Sequence, residues 1–77
     1  MNKTRRKSIQ NVASQLEELK STLEDLQGEE EVYRDNIPEN LQGSERYEKA
    51  DEACDTLGDA VSALEDVISS LSELSEE

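Results

Sequence analysis

Histidine is absent from this chain of 77 residues, cysteine and proline occur once each, and glycine occurs three times. Without histidine there can be no Ser/His or Cys/His nucleophilic pair and no His-containing zinc site. A single cysteine, Cys54, excludes an internal disulfide. Long apolar runs are missing too, and nothing approaches the roughly 20 residues needed to cross a bilayer. The basic start MNKTRRK is followed by SIQNVASQLEEL, which lacks the continuous apolar stretch of a secretory signal. These absences predict a soluble cytoplasmic protein, a compartment with which one thiol is compatible.

What the chain has in abundance is negative charge. Twenty acidic residues face eight basic ones, for a net charge of −12. Four of the basic residues (Lys3, Arg5, Arg6 and Lys7) crowd the first seven positions, so Ser8 to Glu77 carries −16. Such a surface repels nucleic acid and anionic lipid, and the expected partners include no nucleic acid bound directly and no membrane. A basic protein is the partner that the charge favours.

The apolar residues recur at helical spacing in two segments. In the first, Ile9, Val12, Leu16, Leu19, Leu23 and Leu26 step by three and four, and Tyr33 continues the register. In the second, Tyr47, Ala50, Cys54, Leu57, Val61, Leu64, Ile68 and Leu71 do the same. Folding the chain back on itself pairs Tyr33 with Tyr47, Leu26 with Cys54, Leu19 with Val61 and Ile9 with Leu71, about a midpoint at Asn40. The expected fold is all-α: a single domain over residues 1–77, an antiparallel two-helix hairpin with helices at 5–35 and 44–75 and a loop at 36–43. The same mirror sets Lys7 opposite Glu73 and Lys3 opposite Glu77, charges that offset one another where each opposes its own helix dipole.

The second helix has more apolar surface than one partner helix covers. Ala53, Ala60, Val67 and Leu74 form a further stripe at intervals of seven, mirrored on the first helix by Gln27, Lys20, Ala13 and Arg6. A chain this short buries only about 60% of its unfolded surface, which leaves it marginal without help. The stripe is therefore the expected dimer interface, through which two hairpins form a homodimeric four-helix bundle. The alternative occupant is a helix of a different protein.

The rare residues gather in DNIPENLQGSERYE, residues 35–48. Pro38 lacks an amide hydrogen and keeps Ile37 out of the helical region, so the first helix ends near Asp35 or Asn36. Ser44 is placed to cap the second helix, with Glu45 and Glu48 suited to its positive end. Between them PENL fits one short helical turn that sets Ile37 and Leu41 on one side. Tyr33, Ile37, Pro38, Leu41 and Tyr47 then form a lid over the bundle end. The polar members Glu39, Asn40 and Gln42, with Arg46, are the candidate partner-binding loop.

The corner also carries a resemblance. The segment EEEVYRDNIPENLQGSERYEKADEA, followed by a Leu/Ala heptad helix, resembles a group of short acidic proteins of Gram-positive bacteria and their phages or conjugative elements. These share a DN(I/M)PENLQxSER corner. The likeness spans about residues 29–70 and implies the hairpin and a mobile-element or accessory origin. It implies no assigned activity and no catalytic residue.

Reactive chemistry finds no footing in the sequence. Cys54 falls at a core position, where a thiol behaves as a small hydrophobe. The stretch DEACDTLGDA lacks the alternating oxygen ligands of a calcium loop, and no glycine-rich phosphate cradle is present. No catalytic residue, metal or cofactor is expected. The chain reads as a non-enzymatic protein-interaction and self-association module. Its alternative is an acidic mimic of nucleic acid, from a mobile element, that occupies a host nucleic-acid-binding protein through Glu45, Glu48, Asp51, Glu52, Asp55, Asp59, Glu65, Asp66 and Glu73.

Overall fold

A computed structural model describes residues 1–76 as two long helices folded back to back. Helix α1 spans Lys3–Asp35 and helix α2 spans Glu45–Glu76, with a single 3-10 turn, Glu39–Leu41, between them. The described residues form a rod of 60 × 14 × 13 Å, as expected for helices of about 50 Å at the usual rise per residue.

Each helix end has a local cause. The α1 start lies two residues before the sequence expectation because Asn2, in extended backbone, accepts a hydrogen bond from the Arg5 amide at 2.7 Å through its side chain. At the other end the Asn36 amide still donates to the Val32 carbonyl, after which Pro38 takes φ −56° and ψ 145° and stops the helix. The Leu41 amide donates to the Pro38 carbonyl at 2.8 Å and the Ser44 amide to the Leu41 carbonyl at 3.0 Å. Ser44 Oγ then accepts from the Tyr47 amide at 3.4 Å, a long capping bond that starts α2. None of the described residues needs a positive φ, Gly43 included.

The interior is narrow. Ala13, Ile37, Ala50, Cys54, Val61 and Ile68 are the buried apolar residues, and among the described residues no large side chain is fully enclosed. Ile9, Leu16, Leu23, Leu57, Leu64 and Leu71 are half-buried. The α2 seam is the expected one.

The α1 seam is turned relative to expectation. Ile9, Leu16 and Leu23 face α2, but Val12, Leu19, Leu26 and Tyr33 are exposed by 48%, 58%, 46% and 38%. The second column of the seam is instead Ala13, Lys20, Gln27 and Arg34, buried or half-buried. Both columns flank Ile9, Leu16 and Leu23 at helical spacing, so periodicity alone does not separate them. What α2 offers opposite decides the matter. Lys20 Nζ lies 3.5 Å from Glu65 Oε1, and Arg34 Nη1 donates to Asp51 Oδ1 at 2.9 Å. Between them the Gln27 side chain occupies the space left by the missing side chain of Gly58, where a Cβ would sit 2.9 Å from Gln27 Nε2. Lys20 and Arg34 thus lay their aliphatic stems along the seam while their charges find carboxylates at its edge.

Candidate interaction surface

The two sides of the hairpin differ in kind. Along one side run Lys20–Glu65, Gln27–Gly58 and Arg34–Asp51, stepping by seven on each helix and closing the groove with two ion pairs and the Gln27 side chain packed over Gly58. Arg34 also bonds to Asp35 at 3.1 Å, and these two carboxylates hold its guanidinium more firmly protonated than usual.

The other side is fixed by a contact near the loop. Arg46 Nε donates to the Tyr33 hydroxyl at 2.6 Å, and the guanidinium carbon stands 5.3 Å from the ring centroid. Stepping by seven away from this pair places Leu26 beside Ala53, Leu19 beside Ala60, and Val12 beside Val67, with Leu74 closing the row. Ala53 and Ala60 are half-buried, Val67 and Leu74 exposed by 46% and 39%. One flank of the rod is therefore a continuous apolar strip contributed by both helices.

This strip contains all four residues expected at a dimer interface, Ala53, Ala60, Val67 and Leu74. It also contains Val12, Leu19 and Leu26, which the sequence reading placed inside the hairpin. The available signal was the number of apolar columns, two on α1 and three on α2, which is one more than a two-helix seam takes.

At the loop end, Ile37 is 4% exposed and Tyr47 half-buried, whereas Pro38 and Leu41 are exposed. Leu41 does not join Ile37 in the interior, because the 3-10 turn carries it outward. Glu39, Asn40 and Gln42 are exposed at the tip, while Arg46 is engaged with Tyr33. The tip and Arg46 are thus separate features.

Cys54 is buried, and that burial pushes its thiol up, against a smaller opposing effect of Arg34, so little thiolate forms at neutral pH. Among the described residues no three carboxylate or thiol ligands converge to hold a metal. A shallow hollow of about 340 Å³ is lined by Lys3, Arg6, Lys7 and Gln10, all on α1. None of these four makes an ion pair with a described residue, and neither does Arg5. The Lys7–Glu73 pair expected from the sequence is accordingly not formed, and Lys3–Glu77 lies outside the described residues. No described helix is long and apolar enough to cross a membrane.

No protein-family model matches the chain, and no curated protein or solved structure is detectably similar to it.

Proposed function

We propose that this chain is a non-enzymatic self-association module whose apolar flank packs against a second copy, making a four-helix bundle of two hairpins. The observation that carries this reading is the strip Val12, Leu19, Leu26, Val67 and Leu74, exposed along one side of a rod whose other side is closed by ion pairs. Exposed apolar groups scattered singly are ordinary, but a strip contributed in register by two packed helices is not. A two-helix hairpin with six buried apolar residues has little interior of its own, and association supplies what the fold lacks. Ala53 and Ala60 let the second copy approach α2 closely. The exposed tip Glu39, Asn40 and Gln42 is then held at the end of a stiff stalk, displayed for a protein partner.

The test is the mass of Val67→Glu in solution. A carboxylate in the strip has no partner in the bundle, so the variant sediments as one chain and loses helicity at low concentration. An unchanged mass would remove this flank as the interface.

A second reading, capture of a basic nucleic-acid-binding host protein by charge mimicry, is favoured by one observation. Thirteen of the 20 acidic residues lie in residues 21–60, the half of the rod nearest the loop. Binding of that kind weakens steeply with salt and is competed by DNA.

A further inference from the structure

The apolar flank does not by itself say how two hairpins align. With their flanks face to face, a two-fold axis can run along the rod or across it. An axis along the rod puts both loops at one end and sets α1 against the partner's α2. An axis across the rod puts the loops at opposite ends, sets α1 against the partner's α1, and sets α2 against the partner's α2. The apolar strip accommodates either arrangement, since Leu19 and Ala60 stand near the middle of their helices.

The charges do not accommodate both. Residues 21–60, the loop half, hold 13 acidic residues against Arg34, Arg46 and Lys49, a net −10. Residues 1–20 and 61–77 hold seven acidic residues against five basic ones, a net −2. Within α1 the contrast is a change of sign: residues 3–20 carry +3, and residues 21–35 carry −5. At the positive end Arg5, Arg6 and Lys7 are without an ion-pair partner among the described residues.

Packed helices stand about 8–10 Å apart, close to the screening length at physiological salt of about 8 Å, so facing charges still act on one another. With the loops together, each −10 half lies against another −10 half. With the loops apart, each −10 half lies against a −2 half, and Arg5, which shares the exposed column of Val12, Leu19 and Leu26, is brought toward the acidic end of the partner's α1.

We propose that the second copy docks in reverse, with the two loops at opposite ends of the bundle, each strongly acidic loop half against the nearly neutral half of its partner, and Arg5 reaching toward the acidic end of the partner's α1. This rests on the self-association reading and adds its direction. The consequence is functional: the bundle displays two tips, each Glu39–Asn40–Gln42, separated by the length of the rod. A partner able to bridge them must itself be extended or two-fold symmetric.

The orientation is read by spin labelling at the tip. The full chain carrying Cys54→Ala and Asn40→Cys is labelled with a nitroxide, and the distance between labels is measured in a sample whose mass has been determined. The reversed arrangement gives a separation near the 60 Å length of the rod. A separation of about 10–30 Å, the width of adjacent packed helices and their labels, means that the loops lie together and overturns the inference while leaving the dimer intact. A single-chain mass for the wild type and the labelled variant alike overturns both the dimer and its direction; where only the variant is a single chain, the label is placed by Asn40→Cys alone, with the buried Cys54 kept, and read in the same way.

Discussion

Tyr33 and Arg46 hold each other across the loop, with a hydrogen bond of 2.6 Å from the guanidinium to the hydroxyl and the cation 5.3 Å from the ring centroid. The pair locks the side of the hairpin on which the apolar strip runs. It also ties the last turn of α1 to the first turn of α2.

Tyr33→Phe keeps the ring beneath the cation and loses the hydrogen bond, whereas Tyr33→Ala loses both. Because the pair is partly exposed, each loss is expected to cost about 0.5–1 kcal/mol, so thermal unfolding followed by circular dichroism ranks the wild type above Phe and Phe above Ala. Equal stability of all three would mean that the contact does not anchor the corner.

Leu16 and Leu19 are three residues apart and belong to different surfaces, Leu16 to the hairpin seam and Leu19 to the open flank. Leu16→Ala is expected to destabilise by about 2 kcal/mol whatever the protein concentration. Leu19→Ala is expected to act only where the protein associates, so its effect disappears on dilution. Urea unfolding at two protein concentrations separates them, and a concentration-independent loss at Leu19 would return that residue to the hairpin interior.

The glycines give a prediction of opposite sign. Gly28 has no neighbour within 4 Å of an added Cβ, while at Gly58 that atom would meet only the end of the flexible Gln27 side chain at 2.9 Å. Gly28→Ala is expected to stabilise by about 0.5–1 kcal/mol through the backbone entropy removed from the unfolded chain. Gly58→Ala gains less, since Gln27 must move, and Gly58→Ala with Gln27→Ala restores the difference. Chemical denaturation of the three variants checks the order.

Cys54 links stability to alkaline pH. Burial favours the neutral thiol, so its folded pKa lies above its unfolded one. The resulting stability is present in full below the unfolded value of about 8.5 and is lost as pH rises from there through the folded value, because the unfolded chain releases its proton first. The melting temperature of the wild type should therefore fall more steeply above that pH than that of Cys54→Ala. Parallel curves would mean that the thiol is reached by water.

Much of the fold is legible in the residues themselves. Pro38 and Ser44 mark the corner, and the α2 columns through Cys54, Val61 and Ile68 face inward as their spacing requires. The rotation of α1 is not legible, because Leu19 and Lys20 both sit beside Leu16 and Leu23, and hydrophobicity alone prefers Leu19. Only three-dimensional pairing with Glu65 and Asp51, and the space at Gly58, favours the polar column. The same rotation hides half of the candidate surface. Ala53, Ala60, Val67 and Leu74 are found by counting, while Val12, Leu19 and Leu26 are found only once Arg46 is seen against Tyr33.

The most direct test of the account is the solution mass of the unmodified chain, by sedimentation equilibrium from about 1 to about 100 µM, a range in which a self-associating module of this size changes its population by mass action. The account predicts twice the 8.6 kDa chain mass at the upper concentrations, with helicity that rises as the dimer forms. A mass of 8.6 kDa throughout, with helicity undiminished on dilution, would contradict it.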